Sequence, residues 1–119
     1  MSHPNAVQLQ PVESSGHAER RAFVRYPCDR ETNCHPLSAS GQEWSGQVEN
    51  LSRGGIGLIV SRRFELKTLL AIELLSRDGQ PSRRVFARVV HVHRRADGNW
   101  LLGCAFANQM AEDDLQALL

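Results

Sequence analysis

Two short groups of residues hold most of the polar chemistry in this chain. Arg21 and Arg25 lie in ERRAFVRYP (Glu19–Pro27), with Arg20 beside them, and Asn50, Ser52, Arg53, Gly54 and Gly55 lie in NLSRGGIG (Asn50–Gly57). An Arg-x-x-x-Arg pair points to one side roughly 13 Å apart if extended, and forms i, i+4 neighbours if helical. In both cases two guanidinium forks can converge on one ligand, and the planar fork suits phosphates and guanine edges better than an ammonium does. The second group offers an amide, a hydroxyl and a glycine pair that lets a ligand come close to the main chain. Taken alone, such glycines more often mark a bulge or a close backbone approach in a barrel.

The elements that must position these groups are mostly strands. After Pro27 the sequence falls into β-like runs at 28–37, 44–51, 55–62, 67–76, 83–94 and 99–106. The separators are turn chemistry: SASGQ, NLSRGG, RDGQPS and ADGN, two of them containing the hairpin signal Asp-Gly. Trp44, Gly46 and Val48 fall on one face of their run. Trp100, Leu102, Cys104 and Phe106 oppose Leu101, Gly103 and Ala105 in theirs. Apolar residues on both faces, as also in VFARVVHV, imply strands covered on both sides. AEDDLQALL places Leu115, Leu118 and Leu119 at helical spacing behind an acidic first turn. Six antiparallel strands at hairpin spacing followed by one helix describe a small barrel with a capping helix. Residues 1–18, with Pro4, Pro11 and Gly16, read as a flexible tail. Tyr26 before Pro27 stops a helix from running through the arginine segment.

Composition removes several function classes. The 119 residues suit one domain with a real core. No apolar run is long enough to span a bilayer, and the N-terminus carries no secretory apolar stretch. Cys28, Cys34 and Cys104 form an odd set without Cys-x-x-Cys, which fits thiols in a reducing cytoplasm. Net charge is +1, so bulk attraction to nucleic acid or membrane is not indicated. Thirteen of the fourteen basic residues are Arg, a bias that codon usage alone would also produce.

Other chemistries fare poorly. The RGGIG segment is followed by more strand rather than a helix, so it is neither a dinucleotide fingerprint nor a P-loop. Ser52 lacks the Gly-x-Ser-x-Gly elbow of a nucleophile. His91 and His93 share a strand face, and Cys34-His35 is another pair, but the close ligand spacing of a zinc site is missing. Arg62-Arg63, Arg83-Arg84 and Arg94-Arg95 read as solvated rim charges at strand ends. A single-stranded nucleic-acid surface would need stacking platforms, and aromatics make up only 6%.

Arg-x-x-x-Arg followed by Asn-x-Ser-x-x-Gly, in this order and at this spacing, resembles the PilZ family of bacterial cyclic di-GMP receptor domains. Arg21 and Arg25 match the first motif, and Asn50, Ser52 and Gly55 match the second. VVHVHRR…GNWLLGCAF is similar to the family's closing hairpin. The resemblance covers residues 19–119. It implies an all-β fold, a six-stranded antiparallel PilZ-type β-barrel with a C-terminal helix, and a cytoplasmic receptor with no catalytic residues and no metal. The implied ligand-binding set is Arg20, Arg21, Arg25, Asn50, Ser52, Arg53, Gly54 and Gly55. The arginines would lie on a mobile segment before the barrel, facing Asn50, Ser52 and the Gly55 backbone across cyclic di-GMP. Arg20, just before the motif, favours a two-molecule, intercalated ligand. With no second domain in this chain, the output would be an unidentified downstream protein or a change in self-association, as monomer or weak homodimer, without nucleic-acid polymer or membrane insertion. The terminal leucines leave room for a longer native C-terminus. Two rivals stay open: a PilZ-like protein–protein module without the ligand, and a barrel that binds single-stranded nucleic acid.

Overall fold

The computed structural model describes residues 23–39, 41–76, 78 and 80–119. The expected tail, Arg20 and Arg21 therefore lie outside the described residues. Six strands form a closed barrel: β1 (Tyr26–Pro36), β2 (Trp44–Leu51), β3 (Gly55–Val60), β4 (Leu69–Leu75), β5 (Pro81–Arg94) and β6 (Trp100–Phe106). A short 3-10 turn (Leu37–Ala39) follows β1, and helix α1 (Glu112–Leu118) follows β6. The order around the barrel is β1-β2-β3-β6-β5-β4, closed by β4 on β1, with every pairing antiparallel. The fold expected from the sequence is the one observed.

The strand order is not that of successive hairpins: β3 pairs with β6 and β4 with β1. The β3–β4 link crosses an end of the barrel instead. It carries Phe64 into the core and packs the Arg62 guanidinium between Trp44 and Phe64, 4.5 and 4.7 Å from their ring centroids. β3 thus stops at Val60 and β4 starts at Leu69. Between them Lys67 takes a left-handed φ of 73° while its N–H donates to the Val89 carbonyl.

Alternation places Val48, Ile56, Leu58, Val60, Leu70, Ile72, Leu74, Val89, Leu102 and Cys104 inside, where removal of their apolar area from water drives closure. Thr32, polar and buried, donates its hydroxyl to the Glu73 carbonyl at 2.7 Å. The Asp97-Gly98 turn forms as expected: Asp97 accepts from the Asn99 N–H, and Gly98 supplies the φ of 90°.

Helix α1 is too short to persist alone. It buries Leu115 and Leu118, while Leu119, expected on the same face, is exposed. Arg30 holds its end by donating to the Leu118 carbonyl at 2.7 and 3.0 Å and to the Leu75 carbonyl at 2.9 Å. Arg83 bonds Asp114 at 3.1 Å near its start. Two of the Arg-Arg pairs thus do structural work at the rim.

Burial pushes the Cys34 thiol up to about 11 and the Cys104 thiol up to about 12, whereas Cys28 is half-buried. Thiolate is the reacting species, so maleimide at mildly alkaline pH should modify Cys28 alone in the folded protein and all three thiols after denaturation. Rapid native labelling of Cys34 or Cys104 would contradict this core.

Candidate ligand-binding face

The second motif spans the end of β2, a tight loop and the start of β3. Ser52 is buried, and its hydroxyl accepts the N–H groups of Gly54 and Gly55, both at 3.1 Å. Its own N–H donates to the Gly55 carbonyl at 2.9 Å. Serine suits this position because one small oxygen satisfies two loop amides that would otherwise be buried without partners. Ser52 shapes the loop rather than presenting its hydroxyl outward.

Each glycine answers a different constraint. A Cβ on Gly55 would lie 2.4 Å from the Cys104 carbonyl oxygen, so β3 could not pair with β6 there. A Cβ on Gly54 would strike the Phe23 ring at 2.8 Å, and one on Gly57 would strike the Asn50 amide at 2.9 Å. The close-approach reading of these glycines is therefore correct.

The lead-in segment before β1 meets the loop at two places. Arg25 donates from Nη1 to Asn50 Oδ1, joining the two motifs across the fold. Phe23 rests on Gly54, with the Arg53 guanidinium 5.5 Å from the ring centroid. Arg53 also donates to the Met110 carbonyl at 3.0 Å, and its own carbonyl accepts from the Met110 N–H at 2.8 Å. The Gly54 carbonyl accepts from the Phe106 N–H at 2.9 Å. The loop is thereby tied to the segment leading into α1. Of the eight expected site residues, Arg25, Asn50, Ser52, Arg53, Gly54 and Gly55 are gathered here. Phe23 and Gly57 were not anticipated; an aromatic between two arginines and a third glycine were the available signals.

Two other depressions, about 470 and 620 Å³, lie beside Pro27–Asp29 and contain no residue of the two motifs. Among the described residues no group of three or more His, Cys, Asp or Glu could hold a metal, and no helix is long and apolar enough to cross a membrane. The rim aromatics are covered by guanidinium groups, Arg62 on Trp44 and Arg63 and Arg94 near Trp100. They do not form an open stacking platform.

The family description "PilZ domain" matches residues 19–119. The chain belongs to the PilZ domain family. Its barrel is similar to the PilZ domain with c-di-GMP of YcgR from Escherichia coli, at TM-score 0.60 and 16% identity over 83% of this chain and 86% of that one. It is also similar to the Bacillus subtilis inhibitor of motility MotI/DgrA, at TM-score 0.62 and 21% identity over 84% of this chain. The match covers 48% of MotI/DgrA, so this chain corresponds to about half of that protein. No curated protein matches the sequence. PilZ domains are receptor and effector domains for cyclic di-GMP signalling, and the arginine–asparagine contact joins the two motifs that characterise them.

Ser52→Ala removes the acceptor of two loop amides and should lower unfolding stability by about 1–3 kcal/mol. Gly55→Ala forces β3 away from β6 and should cost about as much or more. Urea unfolding of both variants checks this; wild-type stability for either would contradict the loop geometry.

Proposed function

We propose that this PilZ domain is a cytoplasmic, non-catalytic receptor that binds cyclic di-GMP between the arginine segment and the outer wall of the barrel, and that it signals to a partner protein. The observation that carries the reading is the Arg25–Asn50 hydrogen bond, because it brings one residue of each motif to the same place. Support also comes from family membership and from the YcgR domain, which is described with c-di-GMP.

The chemistry suits the ligand. Cyclic di-GMP offers two phosphates and two guanines. A guanidinium can fork onto guanine O6 and N7 or onto phosphate oxygens, and it can stack on a purine face. Arg21 and Arg25 are the proposed forks, and Asn50 supplies an amide beside them. Ser52, Gly54 and Gly55 hold the loop backbone at the ligand's edge. Arg20 adds a third fork, which favours two stacked molecules per chain.

The proposed output is ordering of the arginine segment. A ligand shifts that equilibrium only through its greater affinity for the closed arrangement. Arg53 provides a path for the change, because it touches Phe23 on the segment and Met110 before α1. A ligand that recruits Arg53 would loosen or re-aim the α1 junction, altering a surface that a partner reads.

Charge-assisted hydrogen bonds are worth about 1.5–3 kcal/mol each. Arg21→Ala and Arg25→Ala should therefore each weaken cyclic di-GMP binding roughly tenfold or more. Calorimetric titration checks this, with two ligands per chain expected at saturation. One per chain would remove the stacked-pair reading. No binding at all would leave a protein–protein module.

A further inference from the structure

The link between β3 and β4 belongs to neither motif. Its sequence, SRRFELKT (61–68), crosses the barrel end opposite α1 and the Ser52 loop, and of its residues only Phe64 is buried. Three large apolar side chains at this end face water: Leu37 at 46%, Leu66 at 55% and Leu69 at 52% of full exposure. Pro36 pairs with Leu70, which puts Leu37 beside Leu69. Trp44 and Trp100, the first residues of β2 and β6, are half-buried here, with Arg62 over the first ring and Arg63 and Arg94 near the second.

The charges at this end do not balance. Each carboxylate already faces a base: Glu43 lies 3.9 Å from His35, Glu65 2.9 Å from Arg63, and Asp97 3.2 Å from Arg95. Arg62, Lys67 and Arg94 have no carboxylate partner among the described residues and are exposed. Carboxylates gather instead at the opposite end, with Asp29, Glu31 and Asp78 beside the close of α1 and Glu112, Asp113 and Asp114 in its first turn. The net charge of +1 thus hides a separation of charge along the barrel.

We infer that the β3–β4 end of the barrel docks on an anionic lipid surface. Leu37, Leu66 and Leu69 enter the headgroup region, and Arg62, Lys67 and Arg94 meet the lipid phosphates. Exposed leucines, indoles and unpaired cations on one face are the pattern of interfacial binding. The domain lies on the bilayer without spanning it. Its acidic end points away, so the separated charges also orient it. The Ser52 loop and the arginine segment then face away from the lipid, open to a ligand. An acidic protein surface would satisfy the cations but gives no reason for three leucines standing at this end, and the two depressions described above lie elsewhere. The inference does not depend on the cyclic di-GMP reading.

The test is co-sedimentation of the full chain, without nucleotide, with phosphatidylglycerol vesicles and with phosphatidylcholine vesicles. The protein should pellet with the first alone, and added salt should release it. A cation near an anionic surface is worth about fivefold in affinity, so Lys67→Gln and Arg94→Gln should each weaken binding by about that factor. Leu66→Ser combined with Leu69→Ser should weaken it about tenfold or more. Arg84→Gln, toward the α1 end, should change nothing, and melting temperatures verify folding. Failure to pellet with phosphatidylglycerol overturns the inference. So does binding that Lys67→Gln and Arg94→Gln leave unchanged, which would move the contact to another basic segment. Binding that survives loss of the leucines and is matched by polyglutamate would reassign this end to an acidic protein. A dimer in gel filtration that the leucine substitutions dissolve, without vesicle binding, would reassign it to a second copy of the chain.

Discussion

Everything at the candidate site depends on how closely β3 lies against β6. Gly55 sits where any side chain would collide with the Cys104 carbonyl, so the pairing of these two strands requires a residue with no Cβ. That pairing closes the barrel across the chain's least local junction, because β3 and β6 are separated in sequence by the whole β4–β5 hairpin. It also fixes the start of β3, and with it the loop that Ser52 folds around its hydroxyl. Once that loop is set, Asn50 lies over Gly57, Arg25 finds Asn50, and Phe23 rests on Gly54. A rigid pair of strands thereby positions a loop, and the loop positions the arginine segment.

The same junction shapes the barrel's convex outer wall, where the proposed ligand site lies. Barrels of this size fill their interior with side chains, leaving no internal cavity for a ligand. The proposed site is therefore on the outside. Glycines on β3 and β6 flatten the wall, and bulges on β2 and β5 flank the flat strip. The expense is structural: glycines in strands pack poorly. Buried leucines, isoleucines and valines inside the same strands compensate.

Much of this was legible in the sequence, for definite reasons. Alternation in 44–51 and 99–106 and the Asp-Gly turns follow from local geometry, so strands and their ends could be read within a few residues. The helix followed from leucine spacing. The exchange of partners that puts β3 beside β6 was not legible, because strand pairing is set by burial of the whole and not by any one segment. Nor were the bulges at Glu49 and Val90, which exist only relative to a partner strand's register. The motif residues were found by type and spacing, yet Ser52's role could not be read that way: the same hydroxyl could serve a ligand or the loop, and only the positions of the Gly54 and Gly55 amides distinguish them. Arg20 and Arg21 remain assigned by motif alone.

The central claim is that ligand binds on the outer wall over β3 and β6 beside the Ser52 loop. Glycine amide resonances report on it directly, since they fall in a distinct region of a nitrogen–proton correlation spectrum. Titrating isotope-labelled protein with cyclic di-GMP should move Gly54, Gly55, Gly57 and Gly103, and leave Gly41 and Gly98, in the β1–β2 and β5–β6 connections, in place. Shifts confined to Gly41 and Gly98, or none at any glycine, would contradict the site.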